Sequence, residues 1–219
     1  MPVNSLTPKN NFYSGCLYNT LFDPFSTKMR DLIRTLVPDN ARVLDVGCGT
    51  GYQLLRMSDK IKSGVGIDLS DKMIAFAIKQ QEKKGLDHLS FELADAVDLS
   101  RFGDDEFDLA TMTMVLHEMN TKLRIPALNE MARVSKRLII TDYAVSPGLF
   151  PSACMHLVER AAGGMSHYRL FLAYLKDGGV PGLFRKIDFH ILREETALLG
   201  MVRVWVGGKR PECFIDLIN

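Results

Sequence analysis

Short apolar runs alternate with longer amphipathic stretches from 41 to 142, and this alternation restricts the fold more than any other feature of the sequence. It is typical of strand–helix–strand units, in which consecutive strands lie parallel in one sheet and helices cover its faces. Five runs predict strands, at 42–47, 63–68, 88–94, 107–112 and 137–143. The sequence therefore predicts an α/β fold, Rossmann-like and doubly wound, with a mostly parallel sheet.

Helix signals lie between and around these strands. Residues 71–84 carry one apolar face, with Ser70 where an N-cap belongs and Gly85 just past the end. Residues 123–134 predict another helix, which Pro126 must either open or kink. The runs at 186–193 and 201–207 are too close together for a helical crossover, so they predict an antiparallel hairpin that brings the sheet to seven strands.

Charge and cysteine content exclude several classes of protein. Lys+Arg 27 against Asp+Glu 26 gives a net charge of +1, which offers no chain-wide attraction for nucleic acid. The four cysteines are far apart with no C-x-x-C pair, so their spacing predicts neither a metal site nor a disulfide framework. No secretory signal and no membrane-spanning apolar run is visible. We expect a cytoplasmic protein without stable membrane insertion, either monomer or homodimer.

The first predicted strand ends in three alternating glycines, at Gly47, Gly49 and Gly51. Ligands of open parallel sheets bind just beyond the carboxyl ends of strands, and glycines let the backbone approach a ligand closely there. A dinucleotide fingerprint needs a small residue three positions after its second glycine, where this chain has Tyr52 or Leu54. A nucleotide-like ligand is predicted, and an NAD-type oxidoreductase stays open as the weaker alternative.

Two acids follow the next strands in register with this loop. Asp68 ends the second predicted strand, where a carboxylate can accept hydrogen bonds from both hydroxyls of a ribose. Asp95 follows the third, beside a backbone N–H that could read an adenine edge. The glycine loop, Asp68 and Asp95 together predict an adenosine-type site along one rim of the sheet.

Five segments resemble the motifs of one enzyme family. VLDVGCGTG at 43–51 resembles the first motif of the class I S-adenosylmethionine-dependent methyltransferases, GIDLS at 66–70 the second and ADA at 94–96 the third. FDLATMTMVLHEM at 107–119 is similar to the fourth-strand motif, and LNEMARVSKRLIITD at 128–142 to the helix and strand that follow. The resemblance is closest to the small-molecule branch (methyltransferase types 11 and 25), which includes the quinone-biosynthesis methyltransferases.

The resemblance implies S-adenosyl-L-methionine as the cofactor and S-adenosyl-L-homocysteine as its product. It implies that the methionine portion of the cofactor is held by Asp45, Gly47, Cys48, Gly49 and Gly51, the ribose by Asp68, and the adenine by Leu69, Met73, Asp95 and Ala96. Met112 and Thr113 would line the cofactor at the end of the fourth strand. One departure is Ser135-Lys136-Arg137 in place of the usual Pro-Gly-Gly turn before the fifth strand, at a place that need not touch the ligand.

Catalysis of methyl transfer depends mainly on holding the acceptor in line with the methyl group, so the sequence need not contain a metal or a covalent nucleophile. A base is needed when the acceptor must lose a proton. His117, just past the fourth strand, is the first candidate, and Asp142 and Tyr143 at the end of the fifth strand are alternatives. His167 lies in a helical flank and is interpreted as packing rather than chemistry.

We expect one domain over 1–219, because this length suffices for one α/β core but not for two. It comprises an N-terminal helical cap (1–37), a cofactor-binding core (41–143), a helical substrate lid (146–185) and a closing hairpin (186–207). The two helical flanks are rich in apolar and aromatic residues, which predicts a small-molecule acceptor with an apolar or aromatic part. The lid residues behind this prediction are Phe150, His156, Tyr168, Phe171, Tyr174 and Phe184. A non-catalytic cofactor-binding protein and a methyltransferase acting on RNA or protein are the remaining alternatives.

Overall fold

Seven strands form one mixed sheet in the computed structural model, which describes the backbone of residues 23–209 and their side chains except those of 23–26, 162 and 163. The strands are β1 (Arg42–Val46), β2 (Ser63–Asp68), β3 (Leu89–Leu93), β4 (Leu109–Thr113), β5 (Arg137–Tyr143), β6 (His190–Ala197) and β7 (Val202–Gly208). Their spatial order is β3-β2-β1-β4-β5-β7-β6. The first five are parallel, and β7 runs antiparallel to both β5 and β6. The predicted α/β class, mostly parallel seven-stranded sheet and closing hairpin are confirmed.

Helices connect the strands and cover the sheet. They are α1 (Asp23–Leu36), α2 (Tyr52–Met57), α3 (Asp71–Lys84), α4 (Thr121–Val134), α5 (Leu149–Lys176) and α6 (Gly179–Lys186), with a 3₁₀ turn at Leu198–Gly200 between β6 and β7. The core lies where strands β1, β4 and β5, buried on both faces, meet the apolar faces of these helices. Residues 1–22, which include most of the predicted N-terminal cap, lie outside the described range. No helix within residues 23–209 has the length and apolar character needed to cross a bilayer.

Helix boundaries follow the local signals with two differences. Gly85 ends α3 in the left-handed conformation (φ 63°) and donates its N–H to Gln81 O and Glu82 O, as its position predicted. Ser70 occupies the N-cap of α3, but its side chain makes no capping hydrogen bond to the described backbone. Helix α4 begins at Thr121, so Pro126 lies inside the helix and does not open it.

The predicted strand at 186–193 is wrong in its first residues. Helix α6 continues to Lys186, and β6 begins at His190. Between them Ile187 N and Phe189 N both donate to Phe184 O, and Asp188 takes a left-handed backbone (φ 53°). Phe189 stacks edge-on against Phe184, with ring centroids 5.7 Å apart. Apolar residues alternate at 187 and 189 as they do in a strand. In the structure this alternation belongs to a packed turn.

Helix α5 contains a sharp interruption. Gly164 has φ 68° and ψ −168°, which divides the helix into two segments at a conformation that favours glycine. The predicted helical character of 146–185 is thereby realised in α5 and α6. The interruption changes the direction in which side chains before and after it project.

Candidate active site

The parallel strands end along one edge of the sheet, which brings the predicted site residues onto a common rim. Because the order is β3-β2-β1-β4-β5, the loops after β3, β2 and β1 lie on one side and those after β4 and β5 on the other. We call the first group, comprising residues 47–51, 68–73 and 95–96, the donor side. This edge is where open α/β sheets bind ligands.

The glycine loop fits tightly against its neighbours. Gly47 N and Cys48 N both donate to Ile67 O, at 2.8 and 2.9 Å, which ties the loop to β2. Gly47 has φ 70°, and a Cβ there would lie 2.6 Å from Val115 Cγ2. A Cβ on Gly49 would meet no described atom within 4 Å. Gly47 is therefore needed for packing, whereas the backbone at Gly49 borders open space that a ligand can enter.

Asp68 links the loops that follow β1 and β2. Its Oδ2 accepts from Gly49 N at 3.0 Å, and its Oδ1 accepts from Ser70 N at 2.8 Å. Each carboxylate oxygen has further lone pairs, so hydroxyl donors can still bind. The geometry suits a carboxylate that shapes the loop and receives a ribose.

Asp45 lies deeper, within β1. It is 2% exposed and accepts a hydrogen bond from Thr111 Oγ1 on β4 at 2.5 Å. Burial raises the pKa of this carboxyl to about 6, although the bond from Thr111 opposes the shift. A cation such as an ammonium group placed nearby would favour the charged form, so Asp45 suits the methionine end of the implied cofactor.

The adenine residues implied by the resemblance are unequally exposed. Leu69 is 52% exposed, whereas Met73 and Ala96 are buried at 5% and 9%. Asp95 Oδ1 accepts from Val97 N at 3.2 Å, which fixes the turn after β3. Leu69 thus presents an apolar surface beside Asp68 that a planar ring could cover.

Met112 and Thr113 end β4 at the boundary between the two groups of loops. The Met112 side chain is fully buried. Thr113 Oγ1 is also buried and has no hydrogen-bond partner among the described residues. Cys48, in the glycine loop, is 7% exposed, and burial raises the pKa of its thiol well above the usual value. None of these three side chains contributes a reactive group to the rim.

The loop after β4 and the end of β5 hold His117, Asp142 and Tyr143 together. His117 Nδ1 lies 2.8 Å from Asp142 Oδ1, and His117 N donates to Asp142 Oδ2 at 3.2 Å. Burial alone would lower the pKa of His117, but the charge and hydrogen bond of Asp142 outweigh it and raise the pKa to about 9. The ring therefore binds a proton more tightly than a free histidine does.

Two residues of α5 complete this group, and sequence analysis did not identify either as functional. Glu159 Oε1 accepts from Tyr143 OH at 2.6 Å, and Glu159 Oε2 lies 2.6 Å from His167 Nε2. Glu159 is 3% exposed. Burial opposes ionisation of Glu159, but His167, the charge of His117 and Tyr143 together lower its pKa. We call His117, Asp142, Tyr143, Glu159 and His167 the histidine–carboxylate cluster.

A signal for these two residues existed in the sequence, but it was weak. Glu159 is the one acidic residue between 149 and 176, and a glycine pair at 163–164 separates it from His167. Eight residues apart on a straight helix, two side chains lie more than two turns from each other. The interruption at Gly164 breaks that regular spacing, and helical periodicity does not predict their contact.

Arg124 fixes the cluster from behind. Its side chain is fully buried, and its guanidinium donates to Asp177 Oδ2 at 3.1 Å, Leu170 O at 2.7 Å and His117 O at 3.5 Å. One side chain of α4 thereby joins the His117 loop to both the middle and the end of the helical segment α5. We call Arg124 a strut, because its guanidinium contacts the backbone of the His117 loop and the backbone of α5 at the same time.

Comparisons with known proteins point to the same enzyme family as the sequence motifs. Residues 43–137 match a family model described as a methyltransferase domain. The uncharacterized methyltransferase YcgJ of Bacillus subtilis (strain 168) is 30% identical over 120 residues, which cover 53% of this chain and 46% of YcgJ. The ubiquinone/menaquinone biosynthesis C-methyltransferase UbiE of Geobacter sp. (strain M21) is 26% identical over 188 residues, which cover 77% of this chain and 78% of UbiE. The chain spans about half the length of the first relative and more than three quarters of the second.

Solved structures share the fold. The magnesium protoporphyrin IX methyltransferase ChlM of Synechocystis PCC 6803, solved with bound SAH, has a TM-score of 0.62 to this chain at 20% identity. The match covers 84% of this chain and 83% of ChlM. The likeness extends beyond residues 43–137 to the helices and strands that follow β5.

Proposed function

We propose that this chain, which belongs to the class I S-adenosylmethionine-dependent methyltransferases, transfers a methyl group to a small molecule with an apolar or aromatic part. S-adenosyl-L-methionine is the cofactor of this family, and S-adenosyl-L-homocysteine is its product. The acceptor class and the residues that contact it are the proposal.

The observation that carries the proposal is the arrangement of Asp68 and Gly49. One carboxylate organises two loops through Gly49 N and Ser70 N and keeps lone pairs for a ribose, next to the open space at Gly49. The exposed Leu69 continues the same rim as an apolar surface. These features match a nucleoside whose sugar, ring and charged end are bound by different loops.

The proposed chemistry is a direct displacement. The cofactor supplies a methyl group already activated on a sulfonium, so positioning the acceptor is the protein's principal task and supplies up to roughly 7–11 kcal/mol in favourable cases. His117, Asp142 and Tyr143 are the proposed catalytic residues. Asp142 fixes the orientation of the His117 ring. An acceptor that must lose a proton gives it to the neutral form of this ring, whose fraction increases as the pH rises towards 9.

The proposed acceptor site borders the cluster beside the partly exposed His156 and Tyr168 of α5. Phe171 packs edge-on against Tyr143 and His156, with ring centroids 5.3 and 5.4 Å apart. His156 Nδ1 lies 2.8 Å from Tyr168 OH. This aromatic layer supports an acceptor with an apolar or aromatic part, held under α5 as a lid.

Calorimetric titration separates this proposal from its alternatives. We expect S-adenosyl-L-homocysteine to bind at micromolar concentration and NAD not to bind, because Tyr52 and Leu54 occupy the places of the small residue in a dinucleotide loop. A panel of hydroxylated aromatic and isoprenoid acceptors with labelled cofactor then tests turnover. Binding without turnover on any acceptor class would leave the chain a non-catalytic cofactor-binding protein, and methylation of only small, charged acceptors would overturn the apolar assignment.

A further inference from the structure

The histidine–carboxylate cluster contains three side chains whose ligand atoms converge. One atom each from His117, Glu159 and His167 lies within 4.8 Å of the other two. We propose that these three residues bind a divalent transition-metal ion of the Zn²⁺ type. This goes beyond the proposed function, because methyl transfer from a sulfonium does not itself require a metal, and it departs from the sequence-based expectation of no metal site. With Nδ1 bonded to Asp142 and Nε2 on the ion, His117 has no free ring nitrogen, so in the metal-bound protein it would not act as the proposed base.

The ligand set has the composition of a known kind of site. Two imidazoles and one carboxylate bind Zn²⁺ in some hydrolytic enzymes and leave a fourth position for water or substrate. At metal–ligand distances near 2.0–2.1 Å, ligand atoms of a tetrahedral ion lie about 3.3 Å apart. Glu159 Oε2 lies 3.8 Å from His117 Nε2 and 2.6 Å from His167 Nε2, so these two distances each differ from that spacing by less than about 1 Å. The ligand atoms of the two histidines lie within 4.8 Å of each other.

Each of the two most buried ligands has a partner that orients it. Asp142 binds Nδ1 of His117 and leaves Nε2 directed to the other ligands. Tyr143 OH donates to Oε1 of Glu159 and leaves Oε2 for the ion. Metal-binding histidines almost always donate their second ring N–H to a carboxylate, carbonyl or water in this way.

Charge and burial also favour a cation here. Glu118 Oε2 lies 4.0 Å from His167 Nδ1, so three carboxylates, Glu118, Asp142 and Glu159, surround two imidazoles. The side chains of His117, Glu159 and His167 are 6%, 5% and 17% exposed. Buried charges in proteins are paired or coordinate metal ions, and a bound cation would add to the pairing that the two histidines already give these carboxylates. The small exposure of His167 leaves an access route to the site.

Zinc titration of the tag-free, chelator-treated full chain tests the proposal. We expect one Zn²⁺ per chain by elemental analysis and by competition with a chromophoric chelator, with no donor or acceptor present. His167→Asn is the first variant because its side chain is partly exposed, and Glu159→Gln is the second because the amide can still accept from Tyr143. Each should weaken Zn²⁺ binding more than about 100-fold, and Tyr143→Phe about 10-fold, as expected for a ligand and for its orienting partner.

The control variant is His190→Ala, which removes an exposed histidine of β6 far from the cluster in sequence. It should leave Zn²⁺ affinity unchanged. Bound Co²⁺ should give visible absorption bands in the wild type that His167→Asn abolishes, and Mg²⁺ should not compete, because imidazole ligands select transition metals. No stoichiometric Zn²⁺ binding, equal loss in His190→Ala, or preference for Mg²⁺ would each overturn the proposal. Because the readout is binding alone, its failure would leave the proposed methyl transfer intact.

Discussion

The donor side and the histidine–carboxylate cluster lie on the same edge of the sheet but are built in different ways. On the donor side, the proposed ligand contacts lie within one short loop after each strand, as where Gly49 N donates to Asp68. The cluster consists of side chains from β5, the β4–α4 loop and an interrupted helix, up to 50 residues apart in the chain from 117 to 167. The first is encoded locally, and the second exists only after the helices have packed.

This difference predicts which changes will affect which region. A substitution that disturbs helix packing should damage the cluster and spare the donor side, because β1 and β2 hold the glycine loop independently through Ile67 O. A substitution on the donor rim should do the opposite. Four variants test this separation.

The largest effect is expected from Arg124→Met. The change leaves Leu170 O and His117 O without their donor and removes the pairing with Asp177, so the free energy of unfolding should fall by about 3 kcal/mol or more. Urea denaturation measures this. In the protein that remains folded, acceptor turnover should fall while affinity for S-adenosyl-L-homocysteine stays within about twofold, since only the cluster loses its support.

Lys186→Met is the matched control, because Lys186 Nζ binds the other oxygen of Asp177 from an exposed position at 2.7 Å. A surface pair of this kind contributes at most about 1 kcal/mol. Equal losses for the two variants would mean that Arg124 acts merely as one partner of Asp177, and the account of it as a strut would be wrong.

The second prediction concerns Asp68→Ala. Removing the carboxylate leaves Gly49 N and Ser70 N without their acceptor and deletes the ribose contact, so affinity for S-adenosyl-L-homocysteine should fall roughly 100-fold, equivalent to about 2.7 kcal/mol. Calorimetry measures it, with Asp71→Ala on the exposed first turn of α3 as control. Zinc binding at the cluster should not change. If Asp68→Ala keeps its affinity for S-adenosyl-L-homocysteine, Asp68 does not bind the ribose and the proposed function loses its main support.

The same contrast explains what the sequence could predict. The positions of the strands, the helix end at Gly85 and the glycine loop follow from signals within a few residues, because backbone conformation and capping are local. The spatial order of the strands is a property of the packed sheet and was not predicted. The start of β6 was misplaced, since a packed turn at 187–189 has the same alternation as a strand. Glu159 and His167 were missed because Gly164 changes the helical phase, which is a property of the folded backbone.

The third prediction is a pH dependence that belongs to the donor side. The pKa of Asp45 is about 6 in the folded protein, against 3.8 for an ordinary aspartate, so folding favours its protonated form. Its contribution to stability is therefore full below about pH 4 and is lost as the pH rises through about 6. Asp45→Asn, which can still accept from Thr111, should raise the free energy of unfolding by about 1–3 kcal/mol at pH near 7.5 and change it little at pH near 4.

Asp45→Asn should also bind S-adenosyl-L-homocysteine more weakly, because the carboxylate proposed to pair with the ammonium group of the ligand is gone. Stability and binding would then change in opposite directions, as expected for a buried charge kept for ligand recognition. Denaturation at the two pH values with calorimetry at the higher one gives both quantities. A variant less stable than wild type at the higher pH would contradict the raised pKa.

The smallest expected effect separates two exposed leucines at strand ends. Leu69 is 52% exposed after β2, beside Asp68, and Leu93 is 60% exposed at the end of β3. If an adenine ring covers Leu69, Leu69→Ser loses about 1 kcal/mol of apolar contact, a roughly fivefold weaker affinity for S-adenosyl-L-homocysteine. Leu93→Ser should weaken it less than about twofold, and both variants should keep their stability within about 0.5 kcal/mol. Equal affinities for the two would mean that the ring lies elsewhere on the rim, and the donor side would then depend on its carboxylates alone.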